Sequence, residues 1–268
     1  EVLASATFKV TSGTTRWTIL VYGHADSNIT PNFLSDLEEM QKVGSNDQFN
    51  IIVQTDLDGS RTSALDGYGV EEPFRTQTVR SRILRSDQTI LEVMPEMDMD
   101  DPNVLRDFID WGLRSFPADR YGLVLWDHGG QYNGYGGDHQ NGTRGWRPAM
   151  KTADIRDVTL ETLNKHQIGK FDFATFDTCL MGGAEQLVDM HEICDLYIAC
   201  PELDFAAGWD YAATLNALKD FPGMSLLEFA EKEVAFWDLH HNRQLSDKNY
   251  KAHVAYDMTK FDAYNASL

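Results

Sequence analysis

Two short stretches hold the residues best suited to covalent chemistry. One is His128 in Trp126-Asp127-His128-Gly129-Gly130, and the other is Cys179 in Phe176-Asp177-Thr178-Cys179-Leu180-Met181-Gly182. A thiol attacks carbonyl carbon as thiolate, and an unperturbed cysteine is only a few per cent ionised at neutral pH, so it needs a partner that handles protons. Imidazole is that partner. The glycines after His128 let backbone N–H groups approach a substrate closely. Gly129 and Cys179 N–H are therefore the donors expected to hold the oxyanion of a tetrahedral intermediate. The residues after Cys179 read as a turn into a helix, whose N-terminus would favour the thiolate.

Such a pair works only if the fold brings it together. Four apolar runs of strand length end in polar residues: 17–22 before Gly23-His24-Ala25-Asp26, 49–54 before Thr55-Asp56, 121–126 before Asp127-His128, and 171–176 before Asp177-Thr178-Cys179. Short β-rich runs of this kind read as strands buried on both faces. Helical patterns lie between them at 32–43, 102–113, 152–163 and 183–193, with Asp101-Pro102 as a helix start. Strands alternating with helices imply βαβ units and a mostly parallel sheet, with reactive groups beyond its carboxyl edge. Runs 196–200 and 253–256 read as further strands, 225–240 as a helix, and 80–84 with 90–94 as a small inserted hairpin.

The whole chain reads as one domain, residues 1–268, and its last residues look like a helix that does not finish. A formal net charge of −19 argues against a general nucleic-acid binder and suits cationic substrates. No apolar run approaches the about 20 residues of a membrane span. The three cysteines fit neither a disulfide framework nor a zinc spacing, so no metal site is expected from them. Cys194 and Cys200 read as core residues. The start lacks an initiator Met, so a trimmed leader is expected.

The His-Gly and Asp-Thr-Cys blocks resemble those of the clostripain family of cysteine peptidases. The likeness extends in order through Trp17–Tyr22, Met99-Asp100-Asp101-Pro102, Asp107–Gly112 and Gly208-Trp209-Asp210-Tyr211. It implies a caspase-like α/β/α sandwich, with a mostly parallel central sheet flanked by helices, related to caspases, gingipains and legumains. It implies a Cys–His dyad that cleaves after Arg or Lys, export from a bacterial cell, and self-cleavage between His128 and Cys179; a monomer acting on peptide or protein substrates is expected. No cofactor is required for that chemistry. Thr178 departs from the usual alanine, His24 from an apolar residue, and Cys200 from a common serine.

A substrate cation entering a buried pocket needs acids there. Asp177, two residues from Cys179 and on the same side of an extended segment, is one. Asp210 is expected as the second, ahead of Asp204. In the glycine-rich stretch before Thr152, Lys151 ranks first and Arg144 second as self-cleavage sites; Arg147 precedes Pro148 and is disfavoured.

Three other readings stay open. His24-Ala25-Asp26 could be a rival cluster for a metal-dependent hydrolase. His139 with Asp138 could bind a metal with Asp56 or Asp58, though no recognised ligand spacing supports it; Asp56-Leu57-Asp58-Gly59 matches only part of a calcium loop, and the family resemblance leaves a surface Ca²⁺ site open. An inactive, peptide-binding relative is the third. His240-His241 reads as an exposed helix end.

Overall fold

The structure is a computed structural model that describes residues 15–141, 149–242 and 252–266. The expected parallel core is present. Strands β1 (Trp17–Ala25), β2 (Phe49–Leu57), β5 (Arg120–Trp126), β6 (Phe171–Asp177) and β7 (Cys194–Ala199) form its centre. β3 (Thr78–Leu84), β4 (Asp87–Met94) and β8 (Val254–Asp257) complete an eight-stranded sheet of order β4-β3-β2-β1-β5-β6-β7-β8. The pairings β1–β2, β1–β5, β5–β6 and β6–β7 are parallel. The inferred hairpin is not a separate insertion: β3 pairs antiparallel with β2, so the hairpin extends the main sheet.

Both faces are covered, which explains the continuous apolar runs. Along β1, Ile19 and Val21 join the core under helices α1 (Thr30–Val43), α6 (Tyr211–Asp220) and α7 (Leu226–Asn242), whose Phe33, Leu215 and Trp237 pack there. Leu20 and Tyr22 point the other way, toward α3 (Pro102–Ser115), α4 (Thr152–His166) and α5 (Ala184–Met190), where Phe108, Ile155 and Met190 lie. Burying both faces of the central strands supplies the main stabilisation, roughly 25 cal/mol per Å² of apolar surface removed from water. The α3 start is as its sequence reads: Asp101 caps it by accepting from Asn103 N–H at 2.9 Å, with Pro102 next. A short α2 (Thr62–Gly67) and the terminal α8 (Phe261–Asn265) complete the chain.

Candidate active site

β5 and β6 are neighbours, and their register pairs Trp126 with Asp177. The next residues of each strand therefore leave the sheet side by side at its carboxyl edge. There His128 and Cys179 line one cleft of about 190 Å³, together with Asp177, Thr178, Asp204 and Phe205. A larger cavity of about 430 Å³ lies between α1 and residues 68–74, but no cysteine, histidine or serine lines it.

His128 Nε2 lies 2.9 Å from Asn28 Oδ1. An amide oxygen only accepts, so Nε2 carries the proton and Nδ1 keeps its lone pair. Asn28, just past β1, is the residue that sequence reasoning missed; its only signal was a polar position beyond a strand end. Burial, followed by the charge of His139, holds the His128 imidazole below its ordinary pKa. The Cys179 thiol donates to the Asp204 carbonyl at 3.5 Å, and burial raises it above its ordinary value. In this state both groups are neutral.

The segment after Cys179 is, as expected, a turn into a helix. Leu180 takes a left-handed φ of 64°, its N–H donates to Glu202 O, and Gly182 N–H donates to Cys200 O. The helix α5 starts only at Ala184 and has seven residues. What holds Cys179 is this anchored turn, strained at Leu180.

The His128 loop is fixed against it. Gly130 N–H donates to Gly134 O and Gly136 N–H to His128 O, leaving Gly129 N–H outside that ladder. Among the described residues neither Gly129 N–H nor Cys179 N–H donates to a backbone carbonyl. A Cβ at Gly129 would stand 2.0 Å from Cys179 O, so only glycine lets the two loops meet.

Asp177 is buried at the cleft wall. Its carboxylate accepts from Tyr211 hydroxyl at 2.7 Å, and burial plus the nearby Asp204 charge push its pKa up to about 7. Gly208, at φ +48°, packs on this carboxylate; a Cβ there would come 2.6 Å from its oxygen. Asp204 Oδ1 accepts from Phe205 N–H and from Trp237 Nε1–H, while Oδ2 is buried with no hydrogen-bond partner. Asp210 is elsewhere. Its side chain accepts from Ala213 N–H at 2.8 Å and caps α6, and it does not line the cleft. The expectation that Asp210 lines the pocket is therefore corrected: it caps α6, while Asp204 lines the cleft. A helix starting at Tyr211 needed an N-cap, and aspartate is a preferred one.

Lys151 leads directly into α4, and its ammonium donates to the Tyr132 and Asn133 carbonyls at 2.9 and 2.8 Å. Arg144 lies outside the described residues.

His24 is sealed in the interior, 3.5 Å from Asp127 and 3.8 Å from Asp100, and burial pulls its pKa down to about 4. It faces no cleft, so the rival cluster presents nothing to a substrate. His241 is likewise buried, against Gly208 O, rather than exposed. Asp58 is taken up by Ser60 and Arg61. Asp56 instead turns inward and joins Asp26, Glu96 and Asp138, whose ligand oxygens lie within 4.8 Å of one another. Asp26 Oδ1, Asp56 Oδ2 and Glu96 Oε1 are buried there without partners. Three acids with unsatisfied oxygens, beside the hydrogen-bonded carboxylate of Asp138, match the all-oxygen ligand set of a hard divalent cation.

Fold and site together define an α/β protein of caspase-like topology, with a thiol and an imidazole on neighbouring strand tips. The profile of the clostripain family matches residues 21–265, and the chain belongs to that family. It is 29% identical over 182 residues to clostripain of Hathewaya histolytica, a match that covers 63% of this chain and about a third, 34%, of clostripain's length. In fold it resembles a secreted C11 cysteine protease of Bacteroides thetaiotaomicron, solved with an irreversible peptide inhibitor. The TM-score is 0.72 at 21% identity, over 94% of this chain and 69% of the other. It also resembles an inactive zymogen C11 protease of Parabacteroides distasonis, with TM-score 0.70 at 18% identity, over 96% of this chain and 66% of the other. Among the described residues no helix is long and apolar enough to cross a membrane.

Proposed function

We propose that this chain is the peptidase domain of a cysteine endopeptidase that cleaves after Arg or Lys. The observation that carries the reading is the meeting of His128 and Cys179 in one cleft whose wall bears Asp177 and Asp204. Cys179 Sγ attacks the carbonyl carbon while its proton passes to His128 Nδ1. Gly129 and Cys179 N–H groups hold the developing oxyanion. The C–N bond then breaks, and His128 returns the proton to the departing amine. Water attacks the thioester with His128 as base, releasing the acid and restoring the thiol. Asn28 keeps the imidazole turned so that Nδ1 serves the sulfur. Asp177 and Asp204 pair with the substrate cation.

A panel of fluorogenic amides varied at the residue before the cut tests this. Turnover confined to Arg and Lys amides, and abolished in Cys179→Ala, is expected. A wild-type protein that binds but does not cut such peptides is instead a peptide-binding relative.

Self-cleavage between His128 and Cys179 belongs to the same reading, at Lys151 first and Arg144 second. Lys151 must first release the two carbonyls that hold it. Wild type and Cys179→Ala expressed side by side give the test: fragments from the alanine protein rule self-cleavage out. The solved neighbour described as secreted supports export. The working form is a monomer that acts on peptides and proteins and has no nucleic-acid partner. The chemistry itself uses only side chains and backbone. A structural Ca²⁺ would be held by Asp26, Asp56, Glu96 and Asp138. It would tie the ends of β1 and β2 to the loop that follows His128, and it takes no part in bond breaking.

A further inference from the structure

Behind the cleft wall, Cys200, Asp204 and His253 bring a sulfur, a carboxylate oxygen and an imidazole nitrogen to within 4.8 Å of one another. Cys200 Sγ stands 3.1 Å from His253 Nδ1. His253 Nε2 is held at 2.9 Å by both carboxylate oxygens of Glu233, and Trp237 stacks on the ring with its centroid 4.9 Å away. Cys200, His253 and Glu233 are all buried. Asp204 Oδ1 is occupied, whereas its Oδ2 is buried and unpartnered.

This is the anatomy of a metal site. Sulfur, nitrogen and oxygen donors together suit zinc rather than calcium or magnesium. A ligating imidazole whose other nitrogen donates to a carboxylate is the usual second layer around zinc, because it fixes the ring and raises its basicity. Here Glu233 turns the ring so that Nδ1 faces the sulfur. The cleft, which Asp204 lines, gives a path in. Cys200 and His253 have no part in the peptidase mechanism.

We propose that Cys200, Asp204 and His253 bind a zinc ion that withdraws Asp204 from the substrate pocket. Binding displaces the Cys200 thiol proton to solvent, giving a thiolate ligand. The metal takes the one free oxygen of Asp204, the acid that the peptidase reading assigns to the substrate cation. Zinc and a basic side chain then compete for one carboxylate, and zinc acts as a reversible inhibitor. That regulatory consequence rests on the peptidase reading; the metal site does not.

Cobalt is the probe that separates the two, because a thiolate ligand gives it a charge-transfer absorption in the near ultraviolet. Cobalt titrated into Cys179→Ala should produce that band, and excess zinc should remove it. The band should be absent from Cys179→Ala/Cys200→Ser. Glu233→Gln should weaken cobalt binding about 10–100-fold, and it serves as the second variant if the serine protein does not fold. No band in Cys179→Ala, or a band that survives loss of Cys200, overturns the site. With the Cys179 thiol intact, zinc should slow turnover of a basic amide by raising KM. Cys200→Ser should keep full turnover in chelator and lose its zinc sensitivity. A cobalt band without any peptidase turnover would leave the metal site standing and remove the peptidase reading.

Discussion

The α-carbon of Gly129 lies against the carbonyl of Cys179, so closely that a Cβ would fall 2.0 Å from that oxygen. The loop bearing the base and the turn bearing the nucleophile are thus locked to each other through one residue without a side chain. Gly129→Ala should push them apart. Overpacking of this kind costs about 1–3 kcal/mol of stability. A displacement near 1 Å at reacting groups removes about 10²-fold in rate. The expected result is a slightly lower melting temperature with a disproportionate fall in kcat, read by thermal denaturation and amide turnover on one preparation. Wild-type turnover in the alanine protein would contradict this account of the loops.

Asn28 holds His128 through Nε2 at 2.9 Å. Asn28→Ala frees the ring to rotate and change tautomer. The expected loss is about tenfold in kcat with KM nearly unchanged, short of the about 10²–10⁴ that removal of a general base takes away. Asn28→Asp should differ from alanine by stabilising the imidazolium, shifting the pH profile rather than only lowering it.

The pH dependence follows from Asp177. With its pKa pushed up to about 7, it is mostly neutral at pH 6 and mostly ionised at pH 8. Affinity for a basic substrate should therefore rise as pH passes through 7, and KM should carry that limb. Stability runs the opposite way. A carboxyl with a raised folded-state pKa favours the fold fully below its unfolded value near 4, and that contribution is lost as pH rises through 7. Asp177→Asn should flatten the KM limb and raise the melting temperature more at pH 8 than at pH 5.

The four-acid cluster around Asp56 should make stability depend on calcium. At a hundredfold excess over Kd, a ligand specific to the folded state contributes about 2.7 kcal/mol, which is about 5–10 °C in melting temperature for a domain of this size. Differential scanning in calcium and in chelator measures it. Asp56→Asn should abolish the difference; a chelator-indifferent wild type would mean that the cluster holds no cation.

The strand tips carrying His128 and Cys179 were legible because four apolar runs each ended abruptly in polar residues. A parallel sheet sends such ends to one edge. Much of the rest depended on partners that local pattern does not encode. Asn28 meets His128 only because β1 and β5 are adjacent. Asp210 looked like a pocket acid because the helix beginning at Tyr211 went unread, and its side chain was already committed to capping that helix. The turn after Cys179 was legible as a turn, but not its anchoring, because its N–H groups go to Glu202 and Cys200, partners that lie about twenty residues further along the chain. The acid cluster escaped for the same reason: Asp26, Asp56, Glu96 and Asp138 come from four separate segments and show no common spacing.

The β5–β6 ladder, running from Gly122 with Phe173 to Trp126 with Asp177, has a consequence for a nicked chain. Any single break between these strands leaves two polypeptides zipped together along the middle of the sheet, each with core side chains sunk into the other. They would travel as one particle through a sizing column and come apart only in denaturant. Mixing separately made halves would rebuild the nucleophile beside its base only if both pieces could first fold around each other.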